Sequence, residues 1–303
     1  MEKKGRFVVD DTVGISLLTA YNYQENNGKF LLITSNLYKA QQLYSLISSF
    51  INNKDILLFP SDELIRAETL SQTKEMTAQR IYVLNQLINN KARIVIANLA
   101  SATRYLPSPS LFKEHTIDIS VGGHYDIKEL KRRLIEAGYL LVNKVDQSLQ
   151  FASRGDILDV FSVNYDKPIR IEFFDDEVES IRTFEISTQT SIEKINQITI
   201  LPASDIILSE EEVKNAGDKI YEVLEEDQKH LDLSTFERLR DQTSIDLSNI
   251  LEGQFNERLY KYYGFLCTLH YSIFDYCDGF KPIIVDENSI NNSNNIIQEE
   301  SFN

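Results

Sequence analysis

Ser153-Arg154-Gly155-Asp156-Ile157-Leu158-Asp159-Val160-Phe161, followed after a short interval by Pro168-Ile169-Arg170-Ile171-Glu172-Phe173-Phe174-Asp175-Asp176-Glu177, is the stretch that decides the fold. Both runs alternate apolar and polar residues with period two, and Asn164-Tyr165-Asp166-Lys167 between them supplies turn chemistry. They read as two paired antiparallel strands in a sheet with one buried and one wet face. Ile169, Ile171 and Phe173 then point one way, and Arg170, Glu172 and Phe174 the other. A phenyl ring among charges has two readings. Either Phe174 packs beneath another element, or it is an aromatic anchor flanked by arginines, the residue types enriched at binding hot spots. The alternation leaves both open.

Working outward, short β-type runs at 116–120, 140–144, 149–154, 178–184 and 197–200 extend this pattern. Gly122-Gly123 makes a turn, Asp126 is placed to cap a helix running to Ala137, and Gly138 stops it. Together these predict a compact α+β module of mainly antiparallel strands. Pro107-Ser108-Pro109-Ser110 reads as a hinge or linker before it, and Pro202-Ala203-Ser204 returns the chain to helical patterns after it.

The flanks read differently. Continuously apolar runs at 30–34, 55–60 and 93–97 are separated by helical patterns at 37–50, with Asn36 as its cap, and 76–88. Such an order predicts βαβ units around a parallel sheet buried on both faces. In that architecture the first strand-to-helix loop, 7–16, is where phosphate would bind. A phosphate loop needs glycines, a lysine and a hydroxyl. This segment offers Asp10, Asp11 and a single Gly14, and the carboxylates would repel phosphate. Gly28-Lys29 precedes a strand and reads as a turn. Two further helices are expected at 210–224 and 236–250, and 282–287 is an apolar strand closing on Asp286 and Glu287. Acids at a strand end are what a nucleotide hydrolase uses to hold magnesium and polarise water. Without a phosphate loop, a core strand ending at the surface is the plainer reading. Beyond Asn288 the chain turns rich in Asn, Ser, Gln and Glu, as a disordered tail or linker does.

Bulk composition bounds the function. The 303 residues suffice for two domains, and 42% hydrophobic with 25% charged residues describes an ordinary soluble globular protein. No apolar run is long enough to span a bilayer, and the charged start lacks a signal core. A cytoplasmic protein is expected. The net charge of −15 disfavours direct nucleic-acid binding. Cys267 and Cys277 read as buried thiols, and the four histidines show no metal-ligand spacing.

Seven stretches then carry a family resemblance. They are Thr34-Ser35-Asn36-Leu37-Tyr38-Lys39-Ala40-Gln41, Phe59-Pro60-Ser61-Asp62-Glu63-Leu64, Ala78-Gln79-Arg80, Arg154-Gly155-Asp156-Ile157-Leu158-Asp159, Arg170-Ile171-Glu172-Phe173-Phe174-Asp175, Ile200-Leu201-Pro202-Ala203 and Ile284-Val285-Asp286-Glu287. In this order, from Phe30 to about Asn288, the chain resembles the amino-terminal, UvrB-homology part of the bacterial transcription-repair coupling factors (Mfd). The resemblance implies an α/β fold: a degenerate helicase-like domain of the P-loop NTPase type, with an inserted α+β, mainly antiparallel domain. Residues 1–113 and 204–288 would form the two parts of the degenerate domain, 114–203 the insertion that binds UvrA, and 289–303 a tail.

By the same resemblance the UvrA-contacting positions fall on Arg154, Arg170 and Phe174. Two guanidiniums offer charge-assisted bonds to carboxylates and the ring supplies apolar area. The arginines could equally be structural partners for Asp156, Asp175 or Asp176. Asp10, Gly14, Asp286 and Glu287 would mark a non-functional nucleotide site, with no catalytic residues, metal or cofactor; ATP would serve only motor domains absent here. RNA polymerase and DNA would be engaged through domains outside this chain, which would act as a recruitment arm with UvrA as partner. The competing expectations are a UvrB-like ATP-dependent damage-recognition protein and a structural scaffold of a longer chain.

Overall fold

The computed structural model describes residues 11–26, 28–52, 54–62, 74–253, 259–292 and 295. Asp10, with the preceding residues of the expected phosphate loop, and Glu63-Leu64 lie outside them. The chain divides into two compact units, one of residues 1–69, 83–104 and 272–303, the other of 70–82 and 105–271.

The first unit begins with α1 (Thr12–Asn26), β1 (Phe30–Thr34), α2 (Leu37–Ser48) and β2 (Ile56–Phe59). Helix α3 (Lys74–Ile88) divides between the units, and β3 (Ile94–Asn98) and α4 (Leu99–Ala102) follow. The second unit carries α5 (Pro109–Glu114), β4 (Ile117–Ser120), α6 (Ile127–Glu136), β5 (Leu140–Leu141), β6 (Gln150–Arg154), β7 (Ile157–Val160), β8 (Ile169–Phe174), β9 (Glu177–Phe184), β10 (Ser191–Ile195), β11 (Gln197–Ile200), α7 (Glu210–Asp227), α8 (Leu233–Leu251) and α9 (Tyr260–Leu266). Then α10 (Ile273–Tyr276) and β12 (Lys281–Ile284) return the chain to the first.

In the first unit the strands form an all-parallel sheet in the order β12-β1-β3-β2. Every residue of β1, β2 and β3 is buried, which is why those runs are apolar without alternation. Asn36 caps α2, its Oδ1 accepting the Lys39 N–H at 2.8 Å. Leu32, Leu43, Ile47 and Ile96 centre the core.

The second unit is built on a six-stranded sheet, β10-β9-β8-β7-β6-β5, antiparallel except for the β5–β6 pair. One face, with Phe151, Leu158, Val160, Ile171 and Ile181, packs against Leu130 and Leu134 of α6 and against the β11–β4 ribbon. Asp126 caps α6 through the Lys128 N–H, and Gly138 leaves the helix at φ +90°, a conformation only glycine adopts without strain. A separate cluster of α7, α8 and α9 centres on Ile220, Leu247, Ile250 and Tyr263. The ends of the unit are held together where the Leu106 N–H donates to Tyr271 O at 2.8 Å and Tyr105 stacks on His270.

Five features differ from these expectations. Residues 204–271, expected to complete the α/β body, group with the antiparallel sheet; only the chain from Ser272 returns. The segment 107–110 is no linker but the start of α5, with Ser108 as its cap and Pro109 in the first turn. The run at 140–144 shrinks to the two-residue β5, and residues 289–292, at the onset of the expected tail, are helical. The sheet's second face is not wholly wet: Ala152, Phe161 and Phe184 bury a smaller cluster with Val145 at one end of it.

Candidate functional site

Register assembles the face on which the arginines lie. Arg154 opposes Ile157, Ile157 opposes Glu172 and Glu172 opposes Ser180, making one row across β6, β7, β8 and β9. Two residues further along, Ala152, Asp159, Arg170, Arg182 and Lys194 make the next. Directly opposed residues share a face, so Arg154 and Arg170 stand on the side away from α6. Phe174 follows at the end of β8, beyond a β-bulge between Glu172 and Phe173.

Arg154, Arg170 and Phe174 differ in what holds them. Phe174 is 76% exposed, so the reading in which its ring packs beneath another element fails. Arg154 is exposed and donates from Nη2 to Asn143 O. Beside it Gly155 turns the β6–β7 hairpin at φ +57°, where an added Cβ would meet nothing within 4 Å, so backbone conformation alone accounts for glycine there. Arg170 is committed internally. Its Nε and Nη2 donate to the two oxygens of Asp159 at 2.7 and 2.8 Å, its Nη1 donates to Gln189 O at 3.3 Å, and it lies 4.7 Å above the Phe184 ring. The fork-to-fork bond to Asp159 raises the Arg170 pKa. The partner is therefore the cross-strand Asp159, not Asp156, Asp175 or Asp176. Near Phe174, His124 Nδ1 pairs with Asp176 at 2.9 Å, which raises the imidazole pKa and lowers that of the carboxyl.

The residues expected at a degenerate nucleotide site lie in the other unit. Gly14 is in the first turn of α1, where its N–H donates to Asp11 Oδ1 at 2.6 Å. The position a phosphate would take at this helix start thus receives the chain's own carboxylate. Asp286 follows β12 and accepts from Ser289 and from Lys39 Nζ, the latter at 2.9 Å. Ser289 first, then Lys39, hold its carboxyl well below the usual range. Glu287 is exposed. Among the described residues no group of three or more His, Cys, Asp or Glu is placed to hold a metal ion, and no helix is long and apolar enough to cross a membrane. Cys277 is buried and Cys267 half-buried, and burial pushes both thiols up to about 12.

Sequence reasoning missed the buried ion pair that ties α3 into the antiparallel unit. Arg80 Nε donates to Asp205 Oδ2 at 2.7 Å and Nη2 to Oδ1 at 3.3 Å, with both side chains wholly buried. Its only signal was an arginine inside an otherwise amphipathic helix. Arg182 and Lys194 were also missed, because only the cross-strand register puts them on the face of Arg170.

A family model for the UvrB interaction domain matches residues 117–205, which open at the first residue of β4 and close at Asp205. Across 90% of its length the chain is 36% identical to a transcription-repair-coupling factor of Bacillus subtilis strain 168. This chain is related to the bacterial transcription-repair-coupling factors. Those of Staphylococcus aureus strain bovine RF122 / ET3-1 and Staphylococcus haemolyticus strain JCSC1435 are 28% and 27% identical, each across 89% of the chain. The chain spans 23% of the length of each of these coupling factors. Within the interaction-domain match lie Arg154, Arg170 and Phe174, with the whole six-stranded sheet; Gly14, Asp286 and Glu287 lie outside it.

Proposed function

We propose that this chain is the UvrA-recruiting module of a transcription-repair-coupling factor, acting in transcription-coupled nucleotide excision repair. The observation that carries the reading is an exposed phenyl ring, Phe174, on the open sheet face inside the stretch matched by the UvrB interaction domain. An exposed ring costs little to present and gains apolar contact on docking, which is how hot-spot residues behave. Arg154 lies on the same face and offers the charge-assisted bonds that fix orientation.

The parallel-sheet unit is, in this reading, a helicase-like domain that has lost nucleotide chemistry and carries no ATPase activity of its own. Asp11 at the start of α1 and the Lys39–Asp286 pair support that view. RNA polymerase and DNA would be engaged through other parts of a coupling factor, and the setting is the cytoplasm.

Calorimetric titration of the chain with UvrA tests the proposal. Wild type binds, and Phe174→Ala loses about 2 kcal/mol or more, roughly thirtyfold in Kd, with an unchanged melting temperature. Magnesium-ATP leaves the melting temperature unmoved. A folded Phe174→Ala that binds as wild type does would overturn the assignment of the surface.

A further inference from the structure

The row of the sheet that holds Arg170 also lines up Arg182 and Lys194, so that three cations on β8, β9 and β10 stand directly opposite one another. Like charges directly opposite are destabilising in a sheet. Their compensation is uneven. Arg170 has both oxygens of Asp159 at 2.7 and 2.8 Å. Arg182 has one long contact, Nη2 to Glu172 at 3.4 Å, while Glu172 takes a closer bond from Ser180 Oγ at 2.5 Å, and the Arg182 Nε makes no hydrogen bond. Lys194 is exposed on the edge strand and has no ion pair among the described residues. In a chain of net charge −15, this row keeps Lys194 without an ion pair among the described residues and Arg182 with only its long contact to Glu172.

We propose that Arg182 and Lys194 extend the docking surface across β9 and β10 and receive a carboxylate-bearing patch of the protein partner, with Arg170 as a positioning residue whose own charge is spent on Asp159. This rests on the recruitment reading above. The occupant is an acidic protein surface and not a nucleic acid: Asp159, Glu172 and Glu177 are interleaved with the cations on the same face, where they would repel a run of phosphates but accept donors from a mixed protein surface. Exposed Phe174 adds the apolar anchor of a protein interface. Arg182, half-buried, is the orienting contact; Lys194, at the rim, steers association.

The test is titration of the folded chain with UvrA at several salt concentrations, comparing wild type, Lys194→Gln, Arg182→Gln/Lys194→Gln and Phe174→Ala, with melting temperature as control. The double variant is expected to bind roughly tenfold more weakly at low salt and to lose much of the salt dependence, and Lys194→Gln to slow association without altering folding. If Phe174→Ala abolishes binding while the double variant matches wild type in affinity and salt slope, recruitment stands and the cationic row is overturned. A wild type that does not bind UvrA overturns both. A double variant whose only loss is of weak affinity for duplex DNA overturns the choice of partner.

Discussion

The two sheets of this chain treat charge in opposite ways. In the parallel-sheet unit the polar groups are turned on one another: Asp11 on the Gly14 N–H at the start of α1, and Asp286, just after β12, on Lys39 and Ser289. On the antiparallel sheet, an arginine, a lysine and a phenyl ring remain turned outward. On the proposed docking surface Lys194 is exposed with no ion pair among the described residues, and Arg182 holds only a long contact to Glu172.

That contrast can be broken at its base by Asp205→Ala, which removes the carboxylate that takes two bonds from the buried Arg80 guanidinium. Breaking such a pair costs about 3–5 kcal/mol, so the antiparallel unit should melt well below wild type and partner binding should fail with it. Thermal unfolding followed by circular dichroism reads this directly, and an unchanged melting temperature would remove the pair from the account. A smaller effect separates support from contact. Arg170→Ala leaves half-buried Asp159 without its fork, for about 1–3 kcal/mol of stability. Arg170→Lys should recover only part of it, because an ammonium cannot make the two parallel bonds. The smallest effect belongs to the parallel sheet. Lys39 and Asp286 are 37% and 42% exposed, so Asp286→Ala costs under about 1 kcal/mol. Because the Asp286 pKa is depressed in the fold, that contribution is present above the ordinary carboxylate range and is lost as pH falls through the depressed value. Chemical denaturation at neutral and strongly acidic pH should show the Asp286→Ala difference only at neutral pH.

Much of this architecture was legible in the sequence because hydrophobic period tracks burial. Alternation over 153–161 and 168–177 gave the β7–β8 pairing, though not the β6–β7 hairpin that turns at Gly155-Asp156 inside the first run, and unbroken apolar runs gave β1, β2 and β3. Helix α1 was missed because Val13, Leu17 and Tyr21 sit outward on it, so its exposed face carries the apolar residues that normally mark a buried one. Strand β10 was missed for a related reason: nearly all its residues are exposed, leaving no period to read. The site was half legible. The facing of Arg170 and Phe174 follows from counting by two, but the pairing of Arg170 with Asp159 depends on cross-strand register, and Arg182 and Lys194 join the row only through β9 and β10. Helices α7 to α9 group by contact with the antiparallel unit, while their amphipathic pattern says only that they bury a face and not against what.

The most direct measurement is a hydrogen-exchange footprint of the chain alone and saturated with UvrA. The account expects added protection over β8, the Asp175-Asp176 turn, β9 and β10, with the amides of β1, β12 and residues 285–290 unchanged. Protection concentrated at the carboxyl ends of the parallel strands, with β8 to β10 exchanging as in the free chain, would contradict it.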